Sequence, residues 1–236
     1  MTPGLSGRIA LITGASRGIG RACAIALAQA GAHVILVART VGGLEEADDA
    51  IQKVGGTATL VPMDLRDFDA IDRLGASIYE RWGKLDALLG NAGVLGTLTP
   101  LAQIGPKQFQ EVMDVNVTAN WRLIRSMDPL LRQSAAARVV FISSGAAKKH
   151  TPYWGAYAVS KAALEMLALT YAAECIGSTV KVNLLNPGPM RTAMRAKAMP
   201  GEDPNDLVTP EAVTPKVVEM LSSSYDQSET TIDFRA

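Results

Sequence analysis

The sequence predicts an α/β protein with three layers, in which a doubly wound parallel sheet lies between two layers of helices. Short apolar runs alternate along the chain with longer segments whose apolar residues recur at helical spacing. Such alternation is typical of a parallel sheet covered by helices on both faces. Since 48% of the 236 residues are hydrophobic, the chain can bury a large core. We expect residues 1–236 to form one domain.

Six short apolar runs are the predicted strands. In chain order they are residues 8–13, 33–37, 57–61, 85–89, 138–142 and 180–185. After the first run, apolar residues follow helical spacing from Ile19 to Ala30, and Gly31 is the expected end of that helix. Beyond Pro187, five further prolines interrupt the pattern. We therefore expect loops and short helices there, with a substrate lid over about residues 189–208.

The charge and cysteine content argue against several classes of protein. Lys plus Arg equals Asp plus Glu at 23 each, so no overall charge attracts nucleic acid or an anionic membrane surface. Cys23 and Cys175 fall in separate predicted helices, which supports neither a disulfide framework nor a zinc site, and no metal is expected. The sequence shows no signal peptide and no apolar run long enough to span a membrane. A cytoplasmic location is the corresponding expectation.

Polar residues and glycines follow all six predicted strands. In an open parallel sheet, ligands bind in the crevice beyond the carboxyl ends of the strands. The six sets are therefore expected to surround one cleft. They are residues 14–20, Ala38 with Arg39, Asp64, residues 91–93, Ser143 with Ser144, and residues 186–188.

A glycine-rich segment follows the first predicted strand and opens the first predicted helix. It runs from Thr13 to Gly20 with the spacing Gly-x-x-x-Gly-x-Gly. Glycines let the backbone approach a pyrophosphate, and a helix N-terminus offers free N–H groups to its charge. A flexible turn is the alternative, but the position in an alternating α/β chain favours a nucleotide site. The binding candidates here are Gly14, Ser16, Arg17, Gly18, Ile19 and Gly20.

The end of the second predicted strand indicates which nucleotide binds. NAD sites commonly place an acidic side chain there, about 20 residues after the glycines, to hold the ribose 2′-hydroxyl. This chain has Ala38 followed by Arg39, and Arg17 lies in the glycine loop. Guanidinium groups without a nearby carboxylate suit a 2′-phosphate. The sequence therefore predicts NADP(H) in preference to NAD(H), the alternative being an ordinary surface arginine at a strand end.

Tyr157 and Lys161 lie one turn apart on a predicted helix, thirteen residues after Ser144. A free tyrosine has a pKa of about 10, and a cation within reach lowers it by roughly one to three units. We therefore expect Lys161 to lower the pKa of Tyr157 so that the phenol exchanges protons near neutral pH. The Ser144 hydroxyl is expected to bind a substrate oxygen. Asn116, a polar residue in an apolar helical run, either holds a water chain to Lys161 or is a satisfied core asparagine.

These residues together resemble the short-chain dehydrogenase/reductase family. The similarity extends from about residue 8 to residue 192, and the joint order and spacing of the motifs make it specific. The matching residues are Thr13, Gly14, Gly18 and Gly20 of the glycine loop, Asp64, Asn91, Ala92, Gly93, Asn116, Ser144, Tyr157, Lys161, Pro187, Gly188 and Thr192.

The resemblance implies a Rossmann-type fold with about seven strands and hydride transfer between nicotinamide C4 and a carbonyl or alcohol carbon. It implies that Tyr157 is the general acid in reduction and the general base in oxidation. Lys161 would lower its pKa and hold the nicotinamide ribose, Ser144 would polarise the substrate oxygen, and Asn116 would position a water relaying protons to Lys161. The other implied cofactor contacts are Asp64 at the adenine, Asn91 at the ribose, and Pro187, Gly188 and Thr192 at the nicotinamide. Leu65, Ala92 and Gly93 are further cofactor-binding candidates.

One residue competes for the role of the catalytic tyrosine, and two features of the chain depart from the family pattern. Tyr153 is a rival for the catalytic tyrosine, but the residue four positions after it is Tyr157 and not a lysine. Gly90 stands where many members have a second asparagine, which is expected to change strand packing more than chemistry. The C-terminal residues 230–236 lack the usual glycine pair, which puts the usual role of the tail in closing the site and in subunit contacts in doubt.

The resemblance implies a small carbonyl compound or alcohol as the substrate, and the aromatic and methionine side chains that flank the predicted cleft favour one with an apolar body. The expected outer wall consists of Ala146, Lys148, Lys149, His150, Tyr153 and Trp154, with residues 190–199 as the lid. The lysines would suit the anionic carrier of a 3-oxoacyl thioester, or they are simply solvated.

A non-catalytic NADP-binding sensor or regulatory subunit is the main functional alternative. A sugar-nucleotide epimerase is a weaker one, because little chain remains after Thr192 for a substrate domain. The apolar helical segments 106–134 and 157–176 are expected to build a homodimer or homotetramer.

Overall fold

Seven parallel strands form one sheet in the computed structural model, which describes residues 4–234. Residues 1–3 and 235–236, which belong to the predicted domain and the predicted tail, lie outside the described residues. The strands are β1 (Ile9–Thr13), β2 (His33–Ala38), β3 (Thr57–Pro62), β4 (Ala87–Gly90), β5 (Arg138–Ile142), β6 (Lys181–Asn186) and β7 (Thr231–Asp233). The predicted fold class, a Rossmann-type parallel sheet of about seven strands, is confirmed.

The chain fills this sheet outward from the middle in both directions. The strand order is β3-β2-β1-β4-β5-β6-β7, so β1 lies between β2 and β4. The crossovers that follow β1 lead to one side, and those that follow β4 lead to the other. Such a reversal opens a crevice at the carboxyl ends of the strands.

Helices cover both faces of the sheet. They are α1 (Gly18–Gln29), α2 (Val41–Lys53), α3 (Phe68–Trp82), α4 (Pro106–Met113), α5 (Ala119–Leu131), α6 (Gly155–Glu174), α7 (Ala193–Ala198) and α8 (Thr214–Leu221), with a π-helical turn at Asp114–Thr118 between α4 and α5. Helices α1, α2 and α8 pack on one face, and α3, α5 and α6 pack on the other. Within residues 4–234, no helix is both long enough and apolar enough to cross a membrane.

Alternate residues of each strand enter the two cores. In β1, Leu11 packs with α3, α5 and α6, whereas Ile12 packs with α1, α2 and α8, and both are fully buried. Val139 and Val140 of β5 divide between the cores in the same way. Side chains of a strand alternate between faces, so a sheet covered twice requires apolar residues at every position. This requirement explains why the strands were recognisable as apolar runs.

The predicted strand ends agree with the structure to within two residues. The strand predicted at 138–142 is confirmed at both ends, and that predicted at 85–89 begins two residues later, at Ala87. The last strand was not predicted from an apolar run. β7 pairs with β6 because Asn183 accepts hydrogen bonds from the Thr230 N–H and hydroxyl (3.2 and 2.7 Å), and Asn186 donates to Asp233 (2.7 Å). A tail without the usual glycine pair therefore still completes the sheet.

Gly90, at the end of β4, affects packing as expected. A Cβ at this position would overlap the Phe141 ring and come within 2.9 Å of Asn120 Oδ1. The phenylalanine ring, which is fully buried, occupies the space that a second asparagine would need.

The amino-terminal end of the sheet is closed by a buried polar network. The Asp86 carboxylate accepts hydrogen bonds from the Ile9 N–H (3.0 Å) and the Ser134 hydroxyl (2.5 Å) and pairs with Lys84 (3.0 Å). The Arg8 guanidinium donates to the Asp86 carbonyl (2.8 Å) and to the Ala136 carbonyl. Burial raises the pKa of the Asp86 carboxyl, but the hydrogen bonds and Lys84 outweigh it, and the net pKa is lowered.

Candidate active site

Residues from distant parts of the chain meet at the carboxyl ends of β1, β4, β5 and β6. A Cβ built on Gly18 would lie 3.6 Å from Thr192 Cγ2, and one built on Gly93 would lie 3.7 Å from Lys161 Nζ. The glycine loop is therefore next to the predicted lid, and the segment after β4 is next to helix α6. These sets of strand-end residues surround one crevice, as the sequence predicts.

The glycines of the first loop have specific geometric roles. Gly14 and Gly18 have positive φ values of 67° and 57°, which side chains rarely adopt. A Cβ at Gly20 would overlap the Gly14 carbonyl oxygen and the Asn91 amide. A larger residue at these positions would displace the loop or the segment after β4.

Helix α1 begins without a capping side chain. Arg17 occupies its N-cap position in extended conformation, makes no capping hydrogen bond, and is followed by a first turn without acidic residues. The N–H groups of such a terminus are available to an external anion. Together with the close approach that Gly14 and Gly20 permit, this terminus fits a pyrophosphate.

Thr13 and Asn91 connect the glycine loop to the segment after β4. The Thr13 hydroxyl accepts hydrogen bonds from the N–H groups of Asn91 and Ala92 (both 3.1 Å), and Asn91 Nδ2 donates to the Thr13 carbonyl (2.9 Å) and the Gly14 carbonyl (3.3 Å). Asn91, predicted to border the ribose, thus holds the two cofactor segments together. The bracing role of the Thr13 hydroxyl was not predicted, although its position before the first glycine was a signal.

The end of β2 carries positive charge and no acidic side chain. Ala38 is buried, whereas Arg39 and Arg17 are exposed. Thr40 donates to the Ser16 hydroxyl at 3.5 Å, which brings the end of β2 against the glycine loop. The arrangement leaves two guanidinium groups beside the loop.

Asp64, predicted at the adenine, lies just beyond β3 and pairs closely with Arg66. The Arg66 guanidinium and N–H both donate to the carboxylate, the shortest contact being 2.7 Å, and Arg66 also lies 3.4 Å from Glu111. These bonds, followed by weaker attraction to Arg66 and Arg39, lower the pKa of the Asp64 carboxyl despite its desolvation. Leu65 is buried beside it. The sequence reasoning missed Arg66, which partly neutralises a carboxylate next to Arg39.

Tyr157 lies on the first turn of α6 near Ser144, which follows β5. The tyrosine is only 8% exposed, whereas its rival Tyr153 is 58% exposed. Burial raises the pKa of the Tyr157 phenol, and a hydrogen-bonding interaction with the Ser144 side chain acts in the opposite direction without reversing it. The expected net lowering of this pKa by Lys161 is therefore not found, because desolvation of the phenolate dominates.

Lys161 is fully enclosed one turn further along α6. Its ammonium donates to the Ile142 carbonyl (2.7 Å) and lies 5.8 Å from the centroid of the Tyr157 ring. Burial lowers the pKa of this lysine to about 8, and the Glu165 charge partly offsets the effect. The cation is thus held by the end of β5, close to the phenol but directed at a main-chain carbonyl.

Asn116 lies in the π-helical turn between α4 and α5 and is fully buried. Its amide accepts from the Val94 N–H (2.8 Å) and donates to the Val94 carbonyl and the Ser160 hydroxyl (both 2.9 Å). Its main-chain carbonyl accepts from Asn120 (2.9 Å). Of the two alternatives for the side chain, this geometry favours the satisfied core asparagine, which fastens the segment after β4 to α6.

Ser143 and Glu165 form a contact that the sequence reasoning did not single out. The Ser143 hydroxyl, almost fully buried, donates to Glu165 Oε1 at 2.6 Å. Glu165 follows Lys161 by four residues on α6, so both lie on one face of the helix. That spacing was the signal available in the sequence.

The segment after β6 approaches the crevice from the other side. Pro187 is buried, and Gly188 has a positive φ of 71° and donates its N–H to Asn186 (3.1 Å). Thr192 caps α7 by accepting from the Arg195 N–H (3.2 Å). Of the three residues predicted at the nicotinamide, Thr192 lies next to Gly18 of the glycine loop.

The surroundings of Tyr157 are largely apolar. Three sources contribute to this wall: Leu95 and Leu98 after β4, Ala146 and Trp154 after β5, and Ala198 of α7. The Trp154 and Tyr157 rings pack edge to face, with centroids 6.0 Å apart. The other predicted wall residues, Lys148, Lys149, His150 and Tyr153, are exposed at the rim.

The predicted lid folds on itself. Arg195 forms two short hydrogen bonds with the Glu202 carboxylate (2.5 and 2.6 Å), and the Arg191 N–H donates to the Val208 carbonyl (2.9 Å). An adjoining cleft of about 320 Å³ is lined in part by Met199 and Leu207.

Comparisons with known proteins agree with this geometry. Residues 8–203 match the family model described as short chain dehydrogenase. The chain is 40% identical over 214 residues to the Escherichia coli oxidoreductase YciK, covering 89% of this chain and 84% of that protein. It is 32% identical over 231 residues to a Saccharomyces cerevisiae benzil reductase that forms (S)-benzoin, covering 94% and 84%.

A solved structure has nearly the same fold. The short chain dehydrogenase from Shigella flexneri, complexed with NADP, superposes with a TM-score of 0.95 at 36% identity and covers 100% of both chains. With the matching family model and the 40% identity to YciK, the fold and the crevice lead to one conclusion. The chain belongs to the short-chain dehydrogenase family of oxidoreductases.

Proposed function

We propose that this protein is an NADP(H)-dependent oxidoreductase that interconverts a carbonyl and an alcohol on a small, apolar substrate. The observation that carries the proposal is the convergence of Tyr157, Ser144 and Lys161 at the end of β5, beside the glycine loop. When bound, NADPH supplies the hydride. The side chains of the protein bind, orient and exchange the proton.

Tyr157 is the proposed proton donor in reduction and acceptor in oxidation. Since burial raises the pKa of its phenol, the group is protonated at neutral pH and is ready to donate. Ser144 donates a hydrogen bond to the substrate oxygen and orients it. The ammonium of Lys161 stabilises the phenolate that remains after donation. Asn116 holds the segment after β4 in place, and we propose that it also positions a water that relays protons to Lys161.

The cofactor is held by residues of all the strand-end segments. The proposed contacts are Gly14, Ser16, Arg17, Gly18, Ile19, Gly20, Arg39, Asp64, Leu65, Asn91, Ala92, Gly93, Tyr157, Lys161, Pro187, Gly188 and Thr192. The preference for NADP(H) is supported by exposed Arg39 and Arg17, by the absence of an acidic residue at Ala38, and by the NADP complex of the Shigella flexneri relative. Titration of NADPH and NADH checks it, and tighter binding of NADH would refute it.

The apolar wall around Tyr157 supports a substrate whose carbonyl carries apolar groups. Uncharged contact area is supplied by Leu95, Leu98, Ala146 and Trp154. One relative is named as a reductase of benzil, a carbonyl compound that carries apolar groups. The exposed lysines at the rim would serve an anionic carrier instead. Replacing Lys148 and Lys149 by glutamate should leave the KM for a neutral diketone unchanged, and should raise the KM for a 3-oxoacyl thioester if that is the substrate.

The test follows NADPH absorbance with ketones, aldehydes, diketones, quinones, 3-oxoacyl thioesters and sugars, using Tyr157→Phe as the control. We expect turnover of neutral apolar carbonyls and a loss of about 10³-fold in the variant, because general acid catalysis typically contributes 10²–10⁴-fold. Binding of NADPH without turnover of any compound would favour a sensor or regulatory subunit. Full activity of the variant would refute the role of Tyr157.

We also propose that α5 and α6 mediate assembly into a homodimer or homotetramer. Trp121 of α5 and Val159 and Met166 of α6 are large apolar side chains that are substantially exposed. Light scattering checks the assembly, and a monomer at micromolar concentration would refute it.

A further inference from the structure

Three residues of α6, each one turn after the last, contact three consecutive residues at the end of β5. Tyr157 interacts with Ser144, Lys161 donates to the Ile142 carbonyl, and Glu165 accepts from the Ser143 hydroxyl. Two of these contacts belong to the proton relay proposed above. The third joins the same helix to the same segment, through the Ser143 hydroxyl and the Glu165 carboxylate.

We propose that Glu165 is a positioning residue of the relay, whose carboxylate, held by Ser143, keeps the Lys161 ammonium in its cationic form and aligned with the end of β5. The inference rests on the relay role proposed for Lys161. Glu165 itself is half-buried and touches neither the phenol nor the crevice in the contacts of the described residues.

The hydrogen bond shows how Glu165 is placed. Ser143 is 2% exposed, its N–H donates to the Leu185 carbonyl of β6 (2.8 Å), and its hydroxyl donates to Glu165 (2.6 Å). Ser143 is thus fixed by the sheet on one side and by α6 on the other. Ser143 lies between Ile142 and Ser144 in the chain. By holding Ser143, the Glu165 carboxylate therefore also restrains the Ile142 carbonyl, which binds Lys161, and the Ser144 hydroxyl, which is proposed to bind the substrate.

The electrostatic surroundings of Lys161 explain why a carboxylate is needed. From β5 the ammonium meets the Ile142 carbonyl, and from its own helix the Tyr157 ring and Glu165. From the segment after β4 it meets Gly93, with the Asn116 amide close by. Among residues 4–234, Glu165 is the acidic group whose charge raises the pKa of this lysine, against burial that lowers it to about 8. Without that charge, the ammonium would lose its proton closer to neutral pH.

The test measures the titration of Lys161 directly. Protein labelled with ¹³C at lysine Cε is titrated by NMR, and the Lys161 signal is assigned by its absence in Lys161→Arg. In Glu165→Gln, which keeps the shape and an acceptor for Ser143, we expect the pKa of Lys161 to fall by about one unit. Glu174→Gln, an exposed glutamate on the same helix, is the matched control and should leave the titration unchanged.

Glu165→Asp retains a carboxylate on a shorter side chain and should restore at least half of the shift. Thermal unfolding measurements establish that each variant folds. If Glu165→Gln does not fold, the test uses Glu165→Asp, in which we expect the pKa of Lys161 to fall by a few tenths of a unit. An unchanged Lys161 titration in the variant that folds, or an aspartate variant that shifts as far as the glutamine one, would overturn the proposal.

A second readout uses any carbonyl that the protein reduces. The loss of kcat/KM at alkaline pH should begin about one unit lower in Glu165→Gln than in the unmodified protein. Since the NMR titration needs no turnover, failure to find a substrate would count against the proposed function, whereas the effect of Glu165 on the Lys161 ammonium is decided by the NMR titration alone. An alkaline limb that does not move would refute the inference alone.

Discussion

The two ends of the sheet treat buried charge in opposite ways. At the amino end, the Asp86 carboxylate has an N–H, a hydroxyl and an ammonium as partners, and its pKa is lowered. At the carboxyl end, burial lowers the pKa of Lys161 to about 8 and raises that of Tyr157. Folding therefore stabilises the charge of Asp86, whereas it disfavours the charged forms of Lys161 and Tyr157. The first end contributes stability, and the second maintains groups that can exchange a proton.

The largest expected effect tests the amino end. Asp86→Ala should lower the free energy of unfolding by about 3–5 kcal/mol, because it leaves the Ile9 N–H, the Ser134 hydroxyl and the Lys84 ammonium without the buried carboxylate that binds them. Since the folded pKa of Asp86 is lowered, its contribution is present at neutral pH and is lost as the pH falls through that value. Urea denaturation of the variant and the unmodified protein at pH 7 and at acid pH measures the loss of stability and its dependence on pH.

Asp49→Ala, an exposed aspartate on α2, is the control for that variant and should change stability by less than about 0.5 kcal/mol. NADPH affinity should be nearly unchanged in Asp86→Ala. A large loss of NADPH affinity in Asp86→Ala would contradict the conclusion that the amino end contributes to stability and the carboxyl end to function.

The second prediction tests the carboxyl end through Gly20. In Gly20→Ala the new methyl group overlaps the Gly14 carbonyl, so we expect NADPH affinity to fall by about 100-fold, equivalent to nearly 3 kcal/mol. Gly42→Ala on α2 meets no atom within 4 Å and should keep its affinity while gaining about 0.5–1 kcal/mol of stability. Fluorescence titration measures the affinities, and equal values for the two variants would contradict the proposed loop geometry.

The third prediction concerns the stability that the protein loses by burying the Lys161 ammonium at the carboxyl end. The folded pKa of Lys161 lies near 8, below its ordinary value of 10.5, so the buried ammonium destabilises the fold most below pH 8. Lys161→Met should therefore raise the free energy of unfolding at pH 7 by about 2 kcal/mol while abolishing turnover. The advantage should shrink as the pH rises from 8 to 10.5.

Lys53→Met, at an exposed position on α2, is the matched control, with an expected change below about 0.5 kcal/mol at every pH. Denaturation curves at pH 7 and pH 10 check the pair. A Lys161→Met variant less stable than the unmodified protein at pH 7 would show that this cation is stabilised like Asp86.

The smallest expected effect sharpens the cofactor assignment at the carboxyl end. Arg39→Ala should weaken NADPH binding by about tenfold, or 1.4 kcal/mol, and leave NADH binding unchanged, because only the 2′-phosphate distinguishes the two. Arg73→Ala on α3, an exposed arginine on another helix, should affect neither. Equal losses for NADPH and NADH would mean that Arg39 does not recognise the phosphate.

Local patterns predicted most of the fold and the position of the site. Apolar runs located six strands to within two residues, because a strand covered on both faces must be apolar throughout. The tail was harder to predict, because β7 depends on Asn183 and Asn186, more than forty residues earlier in the chain. Gly90 is similar, since the need for a glycine comes from the Phe141 ring of another strand.

The sequence by itself determined the sheet, the glycine loop, and the placement of Ser144, Tyr157 and Lys161 around one crevice, since periodicity and spacing are local properties and parallel strands end at one edge. Only the tertiary structure decided what surrounds each group. It directs Lys161 to the Ile142 carbonyl, and it pairs Ser143 with Glu165. It also makes burial, and not the neighbouring cation, the dominant influence on the pKa of Tyr157. Desolvation depends on every chain segment packed around a group, and spacing along one helix does not contain that information.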